Sequence, residues 1–147
     1  MTEAEQMSAW NNLVMHADPN AFEEGDNRRA AAIACIYMGA VNNGGLNSFL
    51  TSSYDLDARE VLTALEKLGA NTAAKQLRHV LEQLGEALPA MTQNERWERL
   101  EALWIDELDA FDVLTEDADR DLIAALEKHV GEYPVFYLSA IADGDPE

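Results

Sequence analysis

The chain has little of what disulfide-stabilised or membrane proteins need. Its single cysteine, Cys35, has no partner for an intramolecular disulfide, so a reducing compartment is expected, and its alanine and isoleucine neighbours predict a buried thiol. The longest apolar run, Ala30 to Val41, is shorter than the ~20 residues that span a bilayer. The first residues, MTEAEQMSAW, have no basic region before an apolar stretch, so a signal peptide is not expected. We therefore expect a cytoplasmic protein.

Basic residues are also scarce. Ten Lys and Arg stand against 28 Asp and Glu, which gives a formal net charge of −18. Nucleic acids and anionic membranes are polyanions that are bound through Lys and Arg, so we expect direct binding to neither. The same charge attracts basic protein surfaces. Hydrophobic residues make up 48% of the chain, which predicts a folded domain and not a disordered acidic tail.

Helical periodicity runs along the chain, and no segment shows the alternation of a strand. The length suits one domain, and no linker or repeat divides it, so residues 1–147 are predicted to form a single compact all-α domain of several helices. Local signals mark helix ends: Gly69 as a C′ residue, Thr92 to Glu95 as a capping box and Thr115 as an N-cap. The helix after the capping box is predicted to bury Trp97, Leu100, Trp104, Leu108 and Phe111.

The most apolar helix is interrupted by Asn43-Gly44-Gly45. Glycine adopts positive φ freely, so this motif is predicted to end the helix and let the chain reverse, with Leu46, Phe49 and Leu50 returning to the core. A glycine-rich loop that binds phosphate usually recruits a lysine, and no Lys or Arg lies between residues 42 and 56. We therefore interpret these glycines as conformational.

No set of residues indicates catalysis or a bound metal. The three histidines are far apart in sequence, and one cysteine cannot build a zinc site. Asp117, Asp119 and Asp121 match the first, third and fifth positions of a calcium loop. The match then fails, because Leu122 stands at the position of the required glycine and Lys128 at the position of the bidentate glutamate. Acidic residues also interact favourably with the first turn of a helix, which explains them without a metal. We expect no enzyme, no cofactor and no metal.

The acidity is concentrated in the second half of the chain. Residues 1–81 carry 10 acidic and 6 basic residues (net −4), whereas residues 82–147 carry 18 and 4 (net −14). The densest window, residues 101–121, holds nine acids and one arginine. A small domain needs a net charge of only about 2–8 to be soluble. Because repulsion between like charges costs stability, this concentration favours a role in binding.

Helical geometry makes the acidic window comparable with DNA. At about 100° per residue, four carboxylates fall within roughly an 80° arc opposite the predicted tryptophan stripe: Glu95, Glu98, Asp106 and Asp109. Carboxylates three or four residues apart on a helix have Cβ atoms about 5–6 Å apart, and each DNA strand carries one phosphate per about 3.4 Å of rise. The two rows of charge are similar in sign and spacing. The alternative is a solvated acidic face without a partner.

Two segments of the chain resemble a known family. NNGGLNSFL, residues 42–50, is followed by an acidic and apolar helix and then by EKLGANTAAKQLRHVLEQLG, residues 66–85. This order of motifs resembles the bacterial DNA-mimic protein family, a helical domain first catalogued as a domain of unknown function, over about residues 29–130. The matched motif residues are Asn43, Gly44, Gly45 and Phe49. Leu46 stands where an aromatic residue is common in the family.

The resemblance implies an all-α domain whose acidic face imitates the DNA backbone and keeps a DNA-binding protein, such as a helix-turn-helix regulator, off its operator. One alternative is an acidic interaction module, for example an immunity-type inhibitor, whose partner does not compete with DNA. A hydrolase or metal enzyme is a third hypothesis. From local charge density, not from a family motif, we predict these partner-binding residues: Glu98, Glu101, Asp106, Glu107, Asp109, Asp112, Glu116, Asp117 and Asp119.

Overall fold

The computed structural model describes residues 2–51, 58–84, 92–103 and 112–138, and the regular structure in these parts is helical, with no strand. The all-α prediction is confirmed. None of the described helices is both long and apolar enough to cross a membrane. The numbered α-helices are α1 Glu3–Met15, α2 Asn27–Thr51, α3 Ala58–Leu68, α4 Asn71–Leu84, α5 Gln93–Leu103 and α6 Glu116–Glu132. The chain also forms a 3₁₀ turn over Pro19–Ala21 and a final helical stretch over 134–138.

Helix α2 is the central element of the domain. Its first half is almost entirely apolar, and it packs against α1, α3, α5 and α6. Ala31, Ala34 and Tyr37 are fully buried, and Leu65 of α3 and Leu122 of α6 complete the core around them. The thiol at residue 35 is buried as predicted, and burial raises its pKa to about 11. The apolar surface of α2 therefore orders the other helices around it.

Two of the predicted helix ends are confirmed in detail. Gly69 has φ +81°, and the amide of Ala70 donates to the Leu65 carbonyl at 2.9 Å, which closes α3 with a Schellman motif. At the start of α5, the Thr92 amide donates to Glu95 Oε1 (2.8 Å) and the Glu95 amide donates to Thr92 Oγ1 (3.2 Å). This reciprocal pair is the predicted capping box.

The glycine motif ends the first helical part of α2, as predicted, and a second helical part follows it within the range of α2. Gly45 has φ +90° and ψ 161°, a conformation that side chains disfavour, and the helix resumes at once at Leu46. Leu46, Phe49 and Leu50 are buried beyond this kink, as predicted. The ring of Phe49 meets Tyr37 edge to face, with ring centroids 5.2 Å apart. The motif therefore redirects α2 so that both of its parts reach the core.

Helix α5 does not bury the face that its sequence predicted. Leu100 is fully buried, but Trp97 is 56% exposed, so that part of the prediction is wrong; Trp104, Leu108 and Phe111 lie outside the described residues. Arg96 lies against α2 instead, and its Nε donates to the Leu50 carbonyl of α2 at 2.8 Å. At about 100° per residue, Arg96 and Leu100 lie about 40° apart, and this arc faces α2. Trp97 lies beside this arc and not within it.

Candidate acidic interface

The predicted partner-binding residues fall into two groups where the structure describes them. The first group, the α5 carboxylates, comprises Glu98 and Glu101. The second group lies in the 112–119 segment, which leads into α6 and carries Asp112, Glu116, Asp117 and Asp119. Asp106, Glu107 and Asp109 lie outside the described residues. These two groups form the described part of the acidic interface.

The α5 carboxylates are exposed to solvent. Glu98 and Glu101 are three residues apart, and within the described parts of the chain neither forms an ion pair. Glu95, one turn earlier, differs because its carboxylate closes the capping box. Hydrogen bonds from the Thr92 backbone and side chain lower the pKa of Glu95. Glu95 therefore stabilises the start of α5, whereas Glu98 and Glu101 remain available to a partner.

A buried glutamine fixes the start of the 112–119 segment. Gln76 of α4 is 6% exposed; its Nε2 donates to the Val113 carbonyl (2.8 Å), and its Oε1 accepts from the Thr115 amide (3.1 Å). Thr115 Oγ1 then accepts from the Ala118 amide at 3.2 Å, which is the predicted N-cap of α6. Leu114, between the two anchored residues, is buried. The backbone that carries these acidic residues is therefore held against the core.

The kink in α2 makes a second attachment to this segment. The Leu46 amide donates to the Asp112 carbonyl at 2.7 Å. A Cβ atom built on Gly45 would lie 2.8 Å from the carboxyl carbon of Asp112, which no real Cβ tolerates. A side chain at residue 45 would therefore require the Asp112 carboxylate to move, and the positive φ of Gly45 independently favours glycine. Asp112 is half-buried, so it is less accessible than Glu116 and Asp117.

The short part of α2 after the kink, residues 46–51, connects the two acidic groups. The Leu46 amide holds Asp112, and the Leu50 carbonyl holds Arg96 of α5. Four residues of helix rise about 6 Å, so the two attachment points are one turn apart. Phe49 lies between these two residues in the chain and is buried. Asn43 and Gly44, which precede the kink, are exposed. The motif thus has a structural role next to the acidic interface.

The first turn of α6 presents the most accessible carboxylates. The side chains of Glu116 and Asp117 are 88% and 81% exposed, and Asp119 is partly exposed. Arg120 contacts the first two at 2.9 and 3.6 Å, but its own side chain is 69% exposed, so solvent screens both ion pairs. Negative charge also interacts favourably with the N-terminal end of the helix dipole. This placement is compatible with stability and leaves the carboxylates facing water.

The calcium-like spacing has a structural explanation at one of its positions. Asp121 Oδ2 accepts from the Thr72 amide at 3.0 Å and so caps the first turn of α4. Across the described ranges, no group of three or more His, Cys, Asp or Glu side chains is arranged to hold a metal ion.

Three residues of this region were not foreseen as part of the interface. Gln76 occupies a buried position in the apolar stripe of α4, and that unusual position is a signal in the sequence, although its partners lie 37 and 39 residues away. Trp97 and Val113, each 56% exposed, place apolar surface next to the acidic groups. Neither exposure can be read from the sequence, because an apolar side chain is normally expected in the core.

A family model described as DMP19-like protein matches residues 25–133. The matched range includes the kink at residue 45, Gln76, the α5 carboxylates and the whole 112–119 segment. No curated protein and no solved structure gives a significant match to the chain.

Proposed function

The chain belongs to the DMP19-like protein family, a family of DNA mimics, and we propose that it binds a DNA-binding protein and blocks that protein's access to DNA. The partner would be a regulator with a basic DNA-binding surface, such as a helix-turn-helix protein. The proposal requires no catalytic chemistry from the chain.

The observation that carries the proposal is that exposed carboxylates stand on a fixed backbone. Glu116 and Asp117 are more than four-fifths exposed, yet the backbone before them is held by Gln76 and by Leu46. A flexible acidic tail would lose conformational entropy when it is ordered on a partner. The backbone of the 112–119 segment loses that entropy when the chain folds, so the loss does not weaken binding.

Binding would follow from competition for the same basic residues. Lys and Arg side chains that normally contact phosphates would pair with the carboxylates of this chain. The field of a chain with formal charge −18 would accelerate the encounter, and added salt would slow it. A partner occupied in this way cannot bind duplex DNA through the same surface.

The first test is a pull-down from a nuclease-treated bacterial lysate, with and without added duplex DNA, followed by identification of the bound proteins. The proposal predicts capture of a DNA-binding protein that the added duplex displaces. A bound partner that added duplex DNA does not displace would contradict DNA mimicry and favour the acidic interaction module.

A charge-matched pair of variants shows whether the acidic interface is responsible. The interface variant combines Glu98→Gln, Glu101→Gln, Glu116→Gln and Asp117→Asn, and the control removes four exposed carboxylates elsewhere: Glu3→Gln, Glu23→Gln, Glu24→Gln and Glu127→Gln. We expect the interface variant to lose the partner and the control to retain it, with both helical by circular dichroism. Equal losses would mean that only net charge matters. Asp112 is left intact because it packs on the kink.

A further inference from the structure

Trp97 exposes a large aromatic surface on a helix whose neighbouring turn is well packed. Its side chain is 56% exposed, while Leu100, on the next turn of α5, is fully buried. Exposure of a large apolar side chain to water is unfavourable, and tryptophan is usually well buried. The backbone at this position is nevertheless fixed, because the adjacent Arg96 is bonded to the Leu50 carbonyl. The packing of α5 against α2 therefore places Trp97 at the surface.

The α5 carboxylates lie beside this ring. At about 100° per residue, Glu101 is about 40° from Trp97 around the helix and Glu98 about 100°, both on the side away from Leu100. Trp97 thus marks the border between the core-facing arc and the acidic face. A partner whose basic groups reach Glu98 and Glu101 must also cover the indole.

The distribution of exposed apolar side chains supports a functional reason for this exposure. In the described ranges six large hydrophobic residues are exposed, and four of them fall outside the range that matches the family model: Met7, Val14, Met15 and Val135. The two inside it are Trp97 and Val113. Val113 sits between Asp112 and Glu116, and its carbonyl is held by Gln76. Within the family region, exposed apolar surface therefore coincides with the acidic groups.

We infer that Trp97 is the apolar anchor of the interface, and that it inserts into an apolar recess among the Lys and Arg residues of the partner's DNA-binding surface. This inference rests on the proposed function. The carboxylates complement the partner's charge, and the indole adds a contact that phosphates cannot provide. Interface residues that contribute most to affinity are enriched in tryptophan and are surrounded by polar contacts that exclude water. The anchor would select one basic protein among many.

The test uses immobilised wild-type chain, Trp97→Ala, Trp97→Phe and the control Met7→Ala, which removes a 63% exposed side chain outside the family-matched range. Each is exposed to the same lysate, and the duplex-displaceable protein is identified and then titrated as a purified protein. We expect Trp97→Ala to weaken binding on the order of 30-fold or more, Trp97→Phe to weaken it less, and Met7→Ala to leave it unchanged.

Salt separates the two contributions to binding. When salt rises from about 0.1 M to about 0.5 M, the loss caused by Trp97→Ala should persist, whereas the loss caused by neutralising the carboxylates should shrink. Wild-type affinity in Trp97→Ala would overturn the anchor while leaving DNA mimicry in place. Absence of any duplex-displaceable partner on the wild-type chain would overturn both proposals. Matching unfolding midpoints show that a loss of binding is not a loss of fold.

Discussion

Two ion pairs near the start of α2 differ from the carboxylates of the acidic interface. Asp26 pairs with Arg28 at 2.8 Å and Glu60 with Arg29 at 3.0 Å, and both pairs are partly buried. Hydrogen bonds from Arg28 lower the pKa of Asp26. In the acidic interface, the described carboxylates of α5 and of the first turn of α6 face solvent, and their one bridging partner, Arg120, is itself exposed.

This difference separates charges that stabilise the fold from charges that are presented to the outside. Partly buried ion pairs contribute to stability when their hydrogen bonds are complete, whereas exposed pairs contribute about 0–1 kcal/mol. Substitutions in the first group should therefore change the free energy of unfolding, and those in the second should change binding. The residues that attach the second group to the core should affect both.

Gly45→Ala should have the largest effect, because Gly45 is the joint between α2 and the 112–119 segment. The variant places a side chain at positive φ, and the Asp112 carboxylate must move to make room for it, so we expect a loss of about 1–3 kcal/mol in the free energy of unfolding. Gly39→Ala is the matched control: Gly39 lies in the same helix with no atom near its virtual Cβ. It should be neutral or stabilising by up to about 1 kcal/mol in urea unfolding. Equal effects in the two variants would contradict the role of the kink.

Local signals explain how much of this arrangement could be predicted from sequence. Gly69, the Thr92 to Glu95 box and Thr115 each act within one turn of their own helix, so neighbouring residues were sufficient to identify them. The acidic character of residues 98–119 is likewise visible in composition. The helical fold and the position of the acidic groups in the chain therefore followed from short-range information.

The attachments between distant residues could not be predicted in this way. Gly45 and Asp112 are 67 positions apart in the chain, and no pattern in either segment indicates that they meet. The apolar pattern predicts that Trp97 faces the core, but Arg96 and Leu100 lie against α2 instead, with Arg96 bonded to the Leu50 carbonyl. The side of α5 that becomes surface therefore depends on contacts with residues far away in the chain.

Arg29→Gln should have the next largest effect and tests the partly buried Arg29–Glu60 pair directly. The Arg29 side chain is only 18% exposed; it donates to the Pro19 carbonyl at 2.7 Å and to Glu60. Its loss leaves both acceptors without their charged donor, so we expect about 1–2 kcal/mol of destabilisation in thermal or urea unfolding. Partner binding should not change under conditions where the variant is folded. Wild-type stability would contradict the assignment of this pair to the fold.

His129 should have a smaller effect on stability that depends on pH, because it is an ionisable residue buried in α6. Its Nε2 lies 2.7 Å from the Tyr137 hydroxyl. Burial lowers the pKa of His129 below the ordinary value of 6.5, while Glu132 and Asp26 oppose this shift and Arg28 adds to it. The unfolded chain therefore binds this proton more readily than the folded chain, so stability is retained above pH 6.5 and declines as the pH falls below it.

The measurement is the unfolding midpoint at about pH 7.5 and about pH 5.5. The wild-type midpoint should fall on acidification, and His129→Gln should fall less. His16→Gln, at an exposed histidine, should behave as the wild type does. An unchanged pH dependence in His129→Gln would assign the acid sensitivity to the carboxylates.

Arg120→Gln should have the smallest effect on stability. It tests whether the exposed carboxylates near Arg120 act in binding and not in folding. Arg120 is exposed, and its loss should change the free energy of unfolding by less than about 0.5 kcal/mol. It is also the arginine that pairs with Glu116 and Asp117, so removing it frees these carboxylates and should strengthen partner binding at low salt. Lys128→Gln, at an exposed position further along α6, changes the net charge equally. If position matters as well as charge, Arg120→Gln should tighten binding more than Lys128→Gln, whereas equal gains would show that the partner senses only the total charge.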